Sequence, residues 1–95
     1  MFHNINEIRR ANRRHGGHWF EPETLRFFRS RVLPTVYGGR YFVTSEARGF
    51  GGERRRGYTV REAENDGEIG TVGRFLQHAT RADAIRAIRA LLADE

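Results

Sequence analysis

The hydrophobic pattern of the chain changes period near Tyr37, and this change restricts the fold more than any other feature of the sequence. Before Tyr37 the apolar residues recur at helical spacing. After it, aromatic and β-branched residues form short runs separated by glycine. Helical spacing returns only near Thr80. Because helices and strands occupy separate parts of the chain, the sequence predicts an α+β protein.

Two short helices are predicted in the N-terminal part of the chain. The spacing of Asn4 and Glu7 is that of a capping box, which predicts a first helix over residues 5–14. A second helix is predicted to begin near Pro22, since proline fits the first turn of a helix, and to end at Pro34.

Three strands and a final helix are predicted in the rest of the chain. The strands are expected over residues 40–46, 57–62 and about 68–75, and the sequence Asn-Asp-Gly at 65–67 favours a turn between the last two. A capping box at Thr80 opens an amphipathic helix that should pack across one face of the sheet. The predicted fold is ααβββα: two N-terminal helices, a three-stranded antiparallel meander and a C-terminal helix, in a single domain of 95 residues.

The composition excludes several kinds of chemistry. All seventeen basic residues are arginines, and the chain has neither lysine nor cysteine. Lysine Schiff-base catalysis, a phosphate loop of the Walker type, thiol nucleophiles, disulfides and cysteine-bound zinc are therefore excluded. Since no segment is apolar enough to span a membrane, we expect a soluble, cytoplasmic protein.

No group of residues has the spacing of a catalytic or metal site. His15 and His18 lie three residues apart in a glycine turn, without the helical spacing or the intervening acid of a zinc protease. Ser30 falls in a predicted helix and Ser45 in a predicted strand, so neither lies on the sharp turn that presents a nucleophile. We expect no enzymatic activity, no metal and no cofactor.

Positive charge is concentrated in the first part of the chain. Residues 1–57 hold twelve arginines and five acidic residues, a balance of +7, whereas residues 58–95 hold five and seven, a balance of −2. The stretch 48–56 combines glycine, arginine and phenylalanine, which could follow a phosphate backbone and stack on a base; alternatively, it is a solvated hairpin loop. The candidate binding residues are Arg48, Phe50, Arg54, Arg55 and Arg56 in this loop, Arg9, Arg10, Arg13 and Arg14 in the first helix, and Arg26 and Arg29 in the second.

The chain has two pairs of adjacent aromatic residues in this region. Trp19-Phe20 precede the second predicted helix, and Phe27-Phe28 lie within it. One interpretation is that they anchor this helix onto the sheet as ordinary core. The other is that one of Phe27 and Phe28 is partly exposed, since neighbours on a helix cannot face the same way. An exposed phenylalanine beside arginines has the composition of a hot spot in a protein interface.

Four motifs span most of the chain: HWFxPxTxRFFxSRV at 18–32, GRYFVTSE at 39–46, YTVR at 58–61 and TVGxF at 71–75. With them the chain resembles a family of small uncharacterised proteins from bacteriophages and bacterial chromosomes. The resemblance covers residues 5–91, implies a phage or mobile-element setting, and carries no activity onto any residue.

Two functional hypotheses follow. The first is a non-enzymatic binding protein whose arginine-rich surface binds nucleic acid or an acidic nucleoprotein partner. The second is a protein-interaction inhibitor of a host defence system, comparable to an anti-CRISPR protein, which acts through the aromatic and arginine face of the second helix. An exposed first strand would also allow edge-to-edge pairing into a homodimer.

Overall fold

A computed structural model of the chain describes residues 1–47 and 55–95. Within them the chain forms three helices and four strands, which are numbered here in chain order. The helices are α1 (Ile5–Arg14), α2 (Pro22–Phe27) and α3 (Arg81–Ala93), and the strands are β1 (Arg31–Val32), β2 (Tyr41–Ala47), β3 (Arg56–Ala63) and β4 (Ile69–Val72).

The four strands form one antiparallel sheet in the order β1-β2-β3-β4. Val43 of β2 lies opposite Val60 of β3, and Thr44 lies opposite Thr59. The predicted three-stranded ααβββα fold is therefore wrong, because a fourth strand, β1, pairs with β2 at the edge of the sheet. The structure is an α+β protein with a four-stranded antiparallel sheet and a C-terminal helix.

The error arises where the second helix was predicted to continue to Pro34. The backbone of Arg29 has a φ of 51°, in the left-handed region, which a right-handed helix cannot continue through. The Ser30 N–H donates to the Leu25 carbonyl oxygen at 2.8 Å and closes the last turn. Val32, which continues the helical apolar spacing in the sequence, instead pairs with Thr44. Pairing with a distant strand thus overrides the local pattern.

Helices cover both faces of the sheet. On one face Phe42 packs with Ile5 and Ile8 of α1 and with Phe20. On the other face Val43 belongs to a second apolar cluster that includes α3 residues. Because alternate residues of a strand point to opposite faces, β2 is buried along nearly its whole length. The sheet is consequently the middle layer of three.

Helix α1 is capped at its N-terminus and joined to another element near its C-terminus. Its first turn is capped by Asn4, whose side-chain oxygen accepts the Glu7 N–H at 3.0 Å, as the capping-box spacing predicted. Near its C-terminus the buried Asn12 side-chain amide donates to the Gly67 carbonyl oxygen at 2.9 Å. This contact joins α1 to the turn between β3 and β4.

Helix α3 covers the second face of the sheet. The Thr80 hydroxyl accepts the Asp83 N–H at 3.1 Å, which confirms the predicted cap. Ala84 and Ile88 are completely buried against the sheet. Among residues 1–47 and 55–95, no helix has the length and apolar character needed to cross a membrane.

Candidate functional site

The arginine-rich loop is only partly described by the structure. Arg48, Phe50 and Arg54 lie outside the described residues. Arg55 is exposed. The guanidinium of Arg56 contacts the fold itself: Nε donates to Ser45 Oγ at 2.8 Å and NH2 donates to the Arg29 carbonyl oxygen, also at 2.8 Å. Arg56 therefore helps to hold the end of α2 against β2.

The arginines of α1 differ in their surroundings. Arg9 is half-buried, with its guanidinium 5.4 Å from the centre of the Phe20 ring. Arg13 is exposed and lies 3.6 Å from a carboxylate oxygen of Glu21, so this pair joins α1 to the start of α2. Arg10 and Arg14 are exposed. The solvent face of α1 is therefore basic.

An exposed aromatic cluster lies at the end of α2. Phe27 is 80% exposed, Phe28 is 52% exposed, and Phe75 from the segment after β4 is 50% exposed. The Phe27 and Phe28 rings meet edge to face with their centres 5.0 Å apart. Arg26 and Arg29, which flank the two rings in sequence, are also exposed. We call these five residues the aromatic-arginine surface.

A small pocket opens beneath Phe28 and Phe75. Its volume is about 110 Å³, and most of its wall is apolar. Trp19, which precedes α2, forms one wall, and Arg61 of β3 lies at its base. The residues that line this aromatic pocket are Trp19, Thr24, Leu25, Phe28, Ser30, Arg61 and Phe75.

Arg61 is buried at the base of the aromatic pocket, with 8% of its surface exposed. Its Nε donates to Thr44 Oγ1 at 3.0 Å, and NH1 donates to Thr71 Oγ1 at 2.6 Å. The guanidinium carbon lies 5.4 Å from the Trp19 ring centre and 5.7 Å from the Phe75 ring centre. Hydrogen bonds and cation–π contacts thus fix the side chain next to two aromatic rings.

Glu46 provides the negative charge next to Arg61. This carboxylate is completely buried, and its Oε2 lies 3.7 Å from Arg61 NH2. It accepts hydrogen bonds from Ser30 Oγ at 2.9 Å and from Thr59 Oγ1 at 2.8 Å. Burial lowers the pKa of the Arg61 guanidinium below its ordinary value, and the Glu46 carboxylate opposes this shift. An arginine side chain nevertheless keeps its charge at neutral pH.

The sequence pattern does not reveal this buried pair. The alternation in β3 places Thr59 and Arg61 on one face and Tyr58 and Val60 on the other, and a polar face next to an apolar one is typical of a strand that is solvated on one side. The structure instead covers both faces. The available signal was the presence of predicted helices on either side of the strands, which together can bury both faces of one sheet.

One group of residues has donor atoms close enough for a metal ion. Among the described residues, donor atoms of His15, Asp66 and Glu68 lie within 4.8 Å of one another, and all three residues are exposed. His18, which the sequence placed beside His15, is not part of this group. Exposed acidic groups often lie this close without an ion, so the cluster by itself defines no metal centre.

Fold and site together define a small α+β protein with an exposed aromatic-arginine surface above a pocket whose base is a buried ion pair. The chain belongs to a family of unknown function, DUF7447, which matches residues 4–89. No curated protein and no solved structure matches the chain.

Proposed function

We propose that this chain is a non-enzymatic binding protein that docks an acidic protein partner on the aromatic-arginine surface. The observation that carries this proposal is the exposure of three phenylalanine side chains around the end of α2 and the pocket, with two exposed arginines next to two of them in sequence. The sequence resemblance adds the expectation of a phage or mobile-element setting. In that setting the partner would be a host protein, such as a component of a defence system.

The energetics favour such a surface as an interface. An exposed phenylalanine gives up the hydrophobic free energy of burial, about 1.5–3 kcal/mol for a side chain of this size, until another surface covers it. Clustered aromatic residues with neighbouring arginines have the composition of binding hot spots. Because Arg26 and Arg29 are exposed and adjoin Phe27 and Phe28 in sequence, a partner with acidic groups around an apolar centre is complementary in both respects.

The ring geometry favours a protein over single-stranded nucleic acid at this surface. Successive bases stack on aromatic side chains whose faces are open and similarly oriented. The planes of Phe27 and Phe28 are instead 84° apart, with one ring edge against the other face. The pair therefore suits irregular side chains better than a run of parallel bases.

The experiment that tests this proposal uses four forms of the protein as bait in extracts of a bacterial host. The forms are the wild type, Phe27→Ala and Arg26→Glu, with Arg81→Glu as the charge-matched control because Arg81 is exposed on α3. Any protein retained by the wild type and by the control but lost with the two variants is purified and titrated directly. We expect Phe27→Ala to weaken its binding at least tenfold, as truncation of a hot spot does. Equal binding by all four forms, or no specific partner, would contradict the proposal.

A second candidate function is nucleic-acid binding through α1. It is favoured by the exposed Arg10, Arg13 and Arg14, which present guanidinium groups along one helix. Phosphate contacts of this kind make affinity fall steeply with salt. Fluorescence anisotropy with single- and double-stranded DNA and RNA at two salt concentrations measures this dependence.

Charge reversal on two helices separates a specific contribution of α1 from the overall positive charge. Arg10→Glu/Arg14→Glu should abolish salt-sensitive binding, whereas Arg81→Glu/Arg89→Glu on α3 changes the net charge equally and should preserve most of it. If both double variants lose affinity to the same extent, binding is nonspecific. If the wild type does not bind at low salt, the second candidate is excluded.

A further inference from the structure

We infer that the aromatic pocket receives one aromatic side chain of the partner, with its ring against the Arg61 guanidinium. This inference rests on the proposed function, because it names the group by which the partner is anchored. It concerns the interior of the pocket, whereas the proposed function concerns the surface around it.

The size of the pocket limits its occupant. An apolar cavity of roughly 150 Å³ accommodates a benzene molecule. The pocket measures about 110 Å³, which is smaller than that cavity, but it opens to solvent, so a single six-membered ring fits with part of it outside, whereas an indole is too large. Its walls are the side chains of Trp19, Leu25, Phe28 and Phe75.

The charge at the base of the pocket determines which kind of ring is preferred. Arg61 is a desolvated cation that already lies against the rings of Trp19 and Phe75. Because Glu46 provides the compensating negative charge, the pocket does not require an anionic occupant. A neutral aromatic ring offers Arg61 a further π face, and such contacts are stronger when the cation is removed from water. A saturated ring of the same shape offers only apolar contact.

Two uncharged probes separate the cation–π contact with Arg61 from ordinary apolar contact. They are N-acetyl-phenylalanine amide and its cyclohexylalanine analogue. Trp19 is the only tryptophan in the chain, so its fluorescence and its indole N–H resonance report on the pocket directly. We expect the phenyl probe to bind with a dissociation constant on the order of millimolar, which is typical of a fragment of this size. It should bind at least threefold more tightly than the cyclohexyl probe.

Variants of the pocket wall locate the binding site. Phe75→Ala removes a wall and Thr24→Leu fills the pocket, so both should abolish the shift of the Trp19 signals. Thr35→Leu is the matched control for Thr24→Leu, because Thr35 is exposed, lies outside the helices and strands, and does not line the pocket. It should leave binding of the probe unchanged. These three residues are exposed or half-buried, so the test does not depend on altering the buried Arg61 network.

The outcomes distinguish this inference from the proposed function. It is overturned if the phenyl probe causes no shift at Trp19, if the cyclohexyl probe binds equally well, or if Thr35→Leu acts like Thr24→Leu. It is also overturned if Thr24→Leu leaves partner binding intact while Phe27→Ala abolishes it, in which case the proposed function stands. If the phenyl probe binds as expected but no partner depends on the surface, the proposed function fails and the ring is not a partner's anchor.

Discussion

Glu46 and Arg61 are opposite charges buried on the same face of the sheet. The free-energy cost of removing them from water is closely balanced by their attraction and their hydrogen bonds. Removing a charge from water costs several kcal/mol, which is recovered only when other polar groups surround it. Here Ser30, Thr44 and Thr59 provide hydrogen bonds to one or the other of the two side chains. The pair is therefore more costly to break than to replace as a whole.

We predict that Arg61→Met destabilises the protein by roughly 3–5 kcal/mol, because it leaves the buried Glu46 carboxylate without its counter-charge. The double variant Glu46→Gln/Arg61→Met should lose less than the sum of the two single changes. Urea denaturation measures each free energy of unfolding. Arg81→Met, at an exposed position of α3, is the control. A loss within about 1 kcal/mol for Arg61→Met would show that the pair is not effectively buried.

Two glycines test the importance of the close contact between α1 and the β3–β4 turn. Gly67 and Gly16 both have a positive φ, of 97° and 89°. A Cβ on Gly67 would lie 2.2 Å from the Ala11 carbonyl oxygen, whereas a Cβ on Gly16 would meet nothing within 4 Å. An alanine at either position would have the same backbone strain, but only at Gly67 would its methyl group collide with neighbouring atoms.

We predict that Gly16→Ala costs about 1–2 kcal/mol, the strain of the left-handed conformation alone. Gly67→Ala should cost more by on the order of 2 kcal/mol, because the added methyl group forces α1 away from the turn. Thermal or urea denaturation of the two variants compares these losses. Equal losses would mean that α1 can move away from the turn without cost.

At the scale of elements, α3 provides the helical layer on the second face of the sheet. Its buried residues Ala84 and Ile88 pack against Val43 and Val60 in one cluster. The helix has thirteen residues, a length at which an isolated helix is marginal in water. Its cap and its packing therefore stabilise each other.

We predict that Thr80→Ala lowers the free energy of unfolding by about 1 kcal/mol, since it removes the acceptor for the Asp83 N–H. For a domain of this size the melting temperature should fall by roughly 4–8 °C. Thr35→Ala, at an exposed position outside the helices and strands, serves as the matched control. Identical melting temperatures for the two variants would contradict a stabilising role of the cap.

At the scale of the whole molecule, the three-layer arrangement places the most stable structure at the centre of the sheet. β2 and β3 have neighbouring strands on both sides, whereas β1 is a two-residue strand at the edge. Backbone amides that lie between covered layers exchange only when much of the structure opens.

We therefore predict that the amides within β2 and β3 that donate between the strands exchange with deuterium most slowly, and that exchange at β1 is faster by at least an order of magnitude. Hydrogen exchange followed by NMR measures this difference, with the exposed N-terminal residues as the fast reference. Exchange at β1 as slow as in β2 would indicate that the edge is covered, for example by a second copy of the chain.

Local signals in the sequence were sufficient for the starts of the helices and for one turn. The caps at Asn4 and Thr80 and the turn before β4 depend on residues two to four positions apart, so sequence spacing alone determines them. The absence of lysine and cysteine likewise excludes chemistry without reference to any fold. Family membership is also determined by the sequence alone, since the family matches the amino-acid sequence of residues 4–89.

The tertiary structure decided the features that depend on distant partners. Val32 forms a strand because β2 offers it a backbone edge, although its spacing is helical. Arg56 is drawn into the fold by contacts with Ser45 and Arg29. The Glu46 and Arg61 pair exists only because helices cover both faces of the sheet. In each case the deciding interaction joins residues far apart in sequence. No short sequence pattern can therefore reveal the free energy that selects it.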